Sequence, residues 1–435
     1  MLKIRLRSIL ALAVVAVGLL IAAVFVLLMA TAQIHSNPED VPSNTHATPS
    51  PAWADAVERG RQIARAGVVD QNLAGLSVAV GTSGDVVWAE GFGWADIETR
   101  APVTPDTQFR IGTASTMLTS AAVGVLLEKE LLTLDDEIQT YVPQFPKKQW
   151  PMTLRHLMGH VAGVSTDSAD EAPLLRRRCE RPVDALQQVA DRGLLFEPGT
   201  QYRHSKYGWI LVSAVVEAAA GQPFLTFMRE HIFQPLGMSH TGAESATEEN
   251  PERIGEPAED MPLVRLVEDV ILEPLGLGGT KAKSATATYY SPRFGADPPR
   301  YGVHMMRPHN LSCYAGSMAF FSTPSDLVRF GLAINSGTLL RPATVELLHT
   351  SPRLTSGQET GYGLGWDLET VTLAGESTQA VGHDGESLGG MMMSFMTFRE
   401  RGIVIVVMSN TSHADTRALA LDIAQVFAKR GAPAF

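Results

Sequence analysis

The sequence predicts an α+β fold in which strands from both ends of the chain form one unit, a helical unit is inserted between them, and a transmembrane helix precedes both. Three observations support this prediction. Runs rich in β-forming residues occur near both ends, at 76–80 and 391–409. Apolar residues with helical spacing fill the middle of the chain, and an uncharged apolar run covers 9–30. Strands at both termini with helices between them indicate a single interleaved fold.

The composition indicates a globular protein. The chain has 435 residues, of which 45% are hydrophobic and 19% charged. It is therefore too apolar for a disordered protein and too charged for one with many membrane spans. Its formal net charge of −11 argues against a nucleic acid partner, because phosphate binding needs clustered positive charge. Two cysteines in a chain of this length do not make the disulfide framework of a small scaffold.

The N-terminal residues indicate export. The run 9–30 carries no charge, and at about 1.5 Å per residue it is long enough as a helix to cross a membrane. A short stub, 1–8, precedes it with three basic residues, Lys3, Arg5 and Arg7. Because positive charge stays in the cytoplasm, we expect a single-pass protein of the inner membrane with its domain on the periplasmic side.

Cleavage of this segment is the alternative. Ala30-Thr31-Ala32 has the small-x-small pattern of a signal peptidase site, which would release a secreted protein. The apolar run is longer than that of an ordinary signal peptide, and this favours an uncleaved anchor. Residues 31–51 are rich in Ser, Asn, Pro and Thr and are expected to form a flexible linker.

The remaining residues, 52–430, are predicted to form one domain with two parts. The α/β part is assigned to 52–109 and 335–430, and the helical part to 110–334. A helix at 51–70 and a hairpin at 76–89 open the domain. The helices predicted in the middle are 117–129, 153–160, 182–191, 207–220 and 223–232. The elements predicted at the end are strands at 363–366, 391–398 and 403–409 and a helix at 414–429, and an acidic loop is predicted at 245–260.

Six short motifs along this domain occur together in one order. They are Phe109-Arg110-Ile111-Gly112, 153–160, 196–200, Tyr207-Gly208-Trp209, 235–238 and Gly382-His383-Asp384-Gly385. With them the sequence resembles the serine β-lactamase and penicillin-binding-protein superfamily, in the branch of class C β-lactamases, DD-peptidases and esterases. The resemblance implies an antiparallel sheet flanked by the terminal helices, an all-helical domain, and a cleft between them. It also implies an acyl hydrolase of amides, esters or β-lactams that needs no cofactor.

The first catalytic motif of that family is replaced. The family uses Ser-x-x-Lys at a helix start, where the spacing puts nucleophile and base on one face. The resemblance places Thr113 at the serine position and Thr116 at the lysine position. Ser115 is no substitute, since two residues turn it about 200° around the helix. Ordinary acylation is therefore expected to be impaired, because the Thr116 hydroxyl cannot act as a base.

The second motif is also replaced, and the third is intact. The resemblance places His204 at the tyrosine and Lys206 at the asparagine of Tyr-x-Asn. The segment His383-Asp384-Gly385 keeps the His-x-Gly form, whose strand supplies half of the oxyanion hole. The backbone N–H groups of Thr113 and Glu386 are therefore the inferred oxyanion donors.

Two functional hypotheses follow. In the first, catalysis has relocated: His204, with an ordinary pKa near 6.5, acts as general base, and Lys206 restores the missing positive charge. In the second, the protein is a non-catalytic pseudoenzyme at the cell envelope. Its cleft then binds a small-molecule or peptidoglycan-like ligand with a carboxylate or acyl group and does not cleave it.

Two further pairs of residues were considered. His156 and His160 are four residues apart on a predicted helix, a spacing that can chelate a metal. No Glu follows His156 and no third ligand is evident, so a structural role is favoured and no metal is predicted. Cys179 and Cys313 would enter an oxidising compartment, so a disulfide between them is one of two outcomes that their spacing leaves open.

Overall fold

A computed structural model describes residues 15–20, 22, 32–165, 174–175, 177–243, 286–306, 309–387 and 391–429. The basic stub, most of the apolar run 9–30 and the predicted loop 245–260 lie outside the described residues. Residues 15–20 are helical, and their apolar side chains are exposed at Val15, Val17, Leu19 and Leu20. Among the described residues, no single helix is long and apolar enough to cross a membrane. One pair of helices joined by a sharp bend meets the required length and hydropathy only when the two are counted together.

The main sheet is antiparallel and takes its strands from both ends of the chain. The strands in chain order are β1 (Ser43–Thr45), β2 (Gly75–Thr82), β3 (Asp85–Asp96), β4 (Ala101–Pro102), β5 (Phe109–Arg110), β6 (Gly242–Ala243), β7 (Tyr290–Pro292), β8 (Val303–Met305), β9 (Phe320–Ser322), β10 (Asp367–Leu373), β11 (Glu376–Ser387), β12 (Met391–Phe398) and β13 (Ile403–Ser409). The order across the main sheet is β1-β3-β2-β13-β12-β11-β10, with β4 paired to β3. Strands β5, β9 and β6 form a small second sheet, and β7 and β8 form a two-stranded ribbon.

Helices cover both faces of the main sheet. They are α1 (Ala54–Asp70), α2 (Ser115–Glu128), α3 (Leu154–Met158), α4 (Pro182–Ala190), α5 (Lys206–Ala220), α6 (Phe224–Met228), α7 (Pro298–Tyr301), α8 (Pro324–Ser336), α9 (Pro342–Leu348) and α10 (Thr416–Ala428). Helices α1 and α10 pack on one face around Trp88, Phe92 and Phe427. The other face carries α8 and the helical part. Every residue of β13 is buried, as its uninterrupted apolar sequence predicts for a strand covered on both sides.

The expectation of a flexible linker is wrong for the described residues 32–45. Strand β1 pairs with β3 as the edge of the main sheet, and Val41 is 1% exposed. The Asn72 side chain bonds the carbonyl of Ala32 and the N–H of Ile34. The polar composition of the segment indicated solvation, but the open edge of β3 offers its backbone hydrogen-bond partners and its few apolar residues find buried sites.

Two assignments in the C-terminal half also differ. The predicted boundary between the helical part and the α/β part, at 334/335, falls inside α8, whose Gly331 packs against Phe395 and Val404 of the sheet. The predicted strand at 363–366 is a turn, and β10 begins only at Asp367. Gly365 has φ of 99°, outside strand geometry, and this turn lets the Trp366 ring stack on Phe330 at 5.9 Å.

Candidate active-site cleft

Thr113 lies where the resemblance places the nucleophile, in a tight turn between β5 and α2. The turn is a 3-10 segment over Gly112–Ala114, and Gly112 has φ of 53°. The Thr113 Oγ1 donates to the carbonyl of Asp384 at 3.3 Å and accepts from the backbone N–H of Glu386 at 3.4 Å. The structure therefore brings the two inferred oxyanion residues together across the gap between α2 and β11.

Gly385 permits this approach. A Cβ at this position would lie 2.2 Å from the Ile111 carbonyl oxygen and 2.5 Å from Met393 Cγ. Any side chain would push β11 away from the turn that carries Thr113. The glycine of the His-x-Gly motif is thus required by contact between two backbones and not by a turn conformation.

Thr116 occupies the lysine position and is 2% exposed. Its Oγ1 donates to the Thr113 carbonyl at 2.9 Å, the usual back-bond of a helical threonine. Ser115 faces away from the cleft, as the helical geometry predicts, and accepts from the Phe320 N–H at 3.3 Å. Each of the two hydroxyls at 113 and 116 donates to a main-chain carbonyl, and the Thr116 hydroxyl also interacts with the Tyr362 phenol. Among the described contacts, no histidine, lysine or carboxylate accepts from either hydroxyl.

His383 is bonded on both ring nitrogens. Its Nδ1 contacts the Asp384 carbonyl, which can only accept, so Nδ1 carries the proton in the neutral ring. Its Nε2 is then an acceptor, and the Tyr362 hydroxyl donates to it at 3.1 Å. Burial raises the pKa of Tyr362 well above its ordinary value, so this phenol stays protonated.

His204, at the tyrosine position, lies against a second buried histidine. The ring centroids of His160 and His204 are 4.3 Å apart. Burial, followed by the nearby His383 and Lys206, lowers the pKa of His204 to about 4. The ring is therefore neutral at pH 7, and its low pKa makes it a weak proton acceptor. Lys206 begins α5, where its charge acts on His204.

Sequence reasoning missed Tyr362 and His160 as parts of this site. Tyr362 fell in the stretch next to the wrongly predicted strand at 363–366, and its contact with His383 spans 21 residues. His160 adopts φ of 59°, and its Nδ1 accepts from the Ser205 N–H at 3.0 Å, which ties it to the residue after His204. The available signal was the glycine-rich setting of both residues in Gly159-His160 and Gly361-Tyr362-Gly363.

His156 lies apart from this cluster. Its Nδ1 accepts from the Thr153 N–H at 3.3 Å in a capping box at the start of α3. In the part of the chain that the structure describes, no group of three His, Cys, Asp or Glu side chains is arranged to hold a metal ion. The capping bond gives His156 a structural role in this fold.

Cys179 and Cys313 form a disulfide, with Cα atoms 4.7 Å apart. It joins the segment before α4 to the 3-10 segment Ser312–Ser317. In that segment the Gly316 carbonyl also accepts a hydrogen bond from the Thr119 hydroxyl at 2.9 Å. The disulfide thus fastens a layer that packs on α2 and α5, the two helices that begin at the cleft.

An antiparallel sheet with a helical part, and a cleft where a helix start meets a His-x-Gly strand, defines a protein of the β-lactamase and penicillin-binding-protein class. The profile of the Beta-lactamase family matches residues 60–428. The chain belongs to this family.

Named relatives agree with this assignment. The human mitochondrial serine beta-lactamase-like protein LACTB is 27% identical over 45% of this chain and 48% of its own length. Penicillin-binding protein 4* of Bacillus subtilis is 26% identical over 77% of this chain and 67% of its own. The octameric penicillin-binding protein homologue from Pyrococcus abyssi aligns with a TM-score of 0.64 and 21% identity, over 84% of this chain and 76% of that one. The chain spans about half the length of the mammalian relatives that it matches.

Proposed function

We propose that this protein binds an acyl or carboxylated small molecule in the cleft and does not carry out ordinary acylation. The proposal rests on the hydrogen bonds that two hydroxyls donate: the Thr113 hydroxyl donates to the Asp384 carbonyl, and the Thr116 hydroxyl donates to the Thr113 carbonyl. Serine acylation needs a hydroxyl bonded to a base, and the described contacts of Thr113 contain none.

The oxyanion side of the cleft supports ligand binding. The Glu386 N–H donates to Thr113 Oγ1, and the Thr113 N–H belongs to the 3-10 turn before α2. Two such donors, held by the backbone, suit a carbonyl or carboxylate oxygen. Relatives named as penicillin-binding proteins make a peptidoglycan-like acyl-D-amino acid the ligand to test first.

A second candidate function is acyl hydrolysis with Thr113 as nucleophile and His204 as base. One observation favours it: His204 is neutral at pH 7, so a ring nitrogen has a lone pair available. The same pKa of about 4 opposes it, because a base this weak supplies little driving force for proton transfer.

The experiment measures turnover and binding together. The purified chain is incubated with a chromogenic β-lactam and an aryl ester, and binding of an acyl-D-Ala-D-Ala peptide is followed by calorimetry. We expect binding without turnover above buffer. Turnover that disappears in both Thr113→Val and His204→Ala would replace the binding proposal with the relocated mechanism.

A reversion series provides the positive control. Thr113→Ser, Thr116→Lys and His204→Tyr together restore the family residues in a scaffold whose oxyanion donors are in place. Acyl-enzyme formation with a fluorescent penicillin is expected in the triple variant and not in Thr113→Ser alone, because the single variant still lacks a base. Labelling of the unreverted protein at the same level would refute the proposal.

We also propose that the apolar run 9–30 anchors the protein in the inner membrane with the domain on the periplasmic side. The exposed apolar side chains at Val15, Val17, Leu19 and Leu20 support this, since helices of a soluble domain bury such residues. Flotation of the full chain with phospholipid vesicles, unchanged by 1 M salt, is the expected result. Release by salt, or an N-terminus that begins after Ala32, would refute the anchor.

A further inference from the structure

Asn72 fastens the chain where it enters the domain. Its Nδ2 donates to the carbonyls of Ala32 and Pro298, and its Oδ1 accepts from the Ile34 N–H at 2.9 Å. Asn72 is 3% exposed and has φ of 51°, a conformation that asparagine tolerates better than most residues. All polar atoms of this side chain are therefore used to hold the chain at Ala32 beside α7.

The residues that follow add further attachments. We call Ala32–Thr45 the N-terminal strap. The His35 ring stacks on Trp94 with centroids 6.0 Å apart, Val41 is 1% exposed, and Ser43–Thr45 pair with β3. The strap lies against the domain along its length, so it adds no free tether between the domain and the segment that precedes it.

The remaining length of chain is very short. Only Thr31 separates Ala32 from Ala30, the last residue of the apolar run. With about 3.8 Å between consecutive Cα atoms, the end of that run lies within about 7.6 Å of Ala32. The headgroup layer on each side of a bilayer is about 5–8 Å thick. An apolar run that spans the membrane therefore places Ala32 and Asn72 at the headgroup layer itself.

The surface beside Asn72 has the chemistry of a membrane interface. Helix α7 carries exposed Pro299 and Arg300, and the Arg300 guanidinium lies 5.2 Å from the centroid of the Tyr301 ring. Tyrosine and arginine are the side chains typical of the interfacial region, where the ring meets the acyl boundary and the cation meets phosphate. Asp297 is the acidic residue next to this turn.

We propose that the domain docks directly on the outer leaflet of the inner membrane, through the exposed residues of α7 beside the buried Asn72, with phospholipid headgroups as its partner. This inference rests on the membrane anchor proposed above. It adds a fixed orientation to that anchor, because a domain on a short attachment with a pinned strap cannot turn freely above the bilayer.

The orientation has a consequence for the cleft. Register across the sheet sets Glu386 opposite Met392, Met392 opposite Ser409, and Ser409 opposite Leu76. Leu76 is four residues after Asn72, so the oxyanion N–H of Glu386 lies in the row of the sheet near the attachment. The opposite end of β2, at Thr82, is about 20 Å from Leu76 at 3.3 Å per residue. The ligand that reaches the cleft is then one presented at the membrane surface.

The test is depth-dependent quenching in vesicles. The chain has no free cysteine, because its two cysteines form the disulfide. Pro299→Cys and the matched control Asp85→Cys are both at exposed positions, the second paired with Thr82 at the far end of β2. Each full-length variant is labelled with a fluorophore and reconstituted in phosphatidylethanolamine–phosphatidylglycerol vesicles that contain a headgroup spin label.

We expect quenching at position 299 to exceed quenching at position 85 at least threefold. Insertion of twelve Gly/Ser residues after Thr31 should leave flotation unchanged. If the short attachment holds α7 at the bilayer surface, the insertion should also remove most of the difference in quenching between positions 299 and 85. Equal quenching at 299 and 85 in protein that floats would overturn the docking face and leave the anchor standing. Absence of flotation would overturn both, and normal ligand binding in the same sample would show that the cleft proposal is unaffected.

Discussion

His204 should make the folded protein sensitive to acid, and the size of the effect follows from its environment. Its pKa is lowered to about 4 in the folded chain, first by burial and then by His383 and Lys206. In an unfolded chain the pKa of a histidine is about 6.5. As the pH falls below 6.5, the unfolded chain binds this proton first, so the contribution of neutral His204 is complete above pH 6.5 and is lost as the pH falls towards 4.

The magnitude is about 3 kcal/mol when the loss is complete, at about 1.36 kcal/mol for each pH unit by which the pKa of His204 lies below its ordinary value. Most of it is already lost at pH 4.5. The variant His204→Gln cannot titrate and should show a smaller fall in the free energy of unfolding between pH 7.5 and 4.5, by about that amount. The neighbouring His160 has its pKa lowered well below the ordinary value, also by burial first, so the wild-type protein should be acid-labile overall.

Urea unfolding followed by tryptophan fluorescence, at the two pH values and in a mild detergent, gives the measurement. His46→Gln is the matched control, since His46 is 56% exposed and lies away from the cleft. Equal losses of stability in the wild type and in His204→Gln would refute the burial argument. A difference of the same size in His46→Gln would show that the effect does not belong to the cleft.

Three further predictions concern stability and binding. Replacing Cys179 and Cys313 by serine removes a cross-link between residues 134 apart and should lower the free energy of unfolding by up to about 5 kcal/mol, read as a fall in the thermal midpoint; an unchanged midpoint would contradict it. Gly385→Ala should abolish peptide binding and lower the free energy of unfolding by about 1–3 kcal/mol. In the control Gly193→Ala the added Cβ lies 3.5 Å from its nearest neighbour, so neither quantity should change. Calorimetry measures the binding and denaturation measures the stability. Glu90→Ala removes a carboxylate that is 2% exposed, so the Trp88 indole N–H loses its acceptor and Arg61 keeps only the exposed Glu58 as ion-pair partner. A loss of about 3 kcal/mol is expected in urea, and a loss below 1 kcal/mol would refute the claim.

The elements that the sequence predicted well are those with a local cause. Strands β12 and β13 coincide with the predicted 391–398 and 403–409, because unbroken apolar runs of that length fit a sheet covered on both faces. Helix α1 ends where it was predicted to end and begins three residues later than predicted, for the same kind of reason. The structure also brings Thr113 and Glu386, which the resemblance pairs as oxyanion donors, within 3.4 Å of each other.

The elements that sequence reasoning missed depend on distant partners. Strand β1 has a polar sequence and exists because the edge of β3 is open, which no local pattern reveals. The Asn72 contact with Ala32 spans 40 residues, and the Tyr362 contact with His383 joins a turn to a strand. Periodicity records only which face of an element is buried, so it contains no information about these pairings.

The structure also explains why the approach of Glu386 to Thr113 is by itself weak evidence of catalysis in this protein. The donors are backbone groups, and Gly385 is required by its contact with the Ile111 carbonyl. Substitution of side chains at 113, 116 and 204 leaves that contact unchanged. The discriminating evidence is therefore the direction of the Thr113 and Thr116 hydroxyls, both donated to main-chain carbonyls. A protein in this state can keep its ligand geometry under selection for binding alone, which is why turnover and binding have to be measured on the same sample.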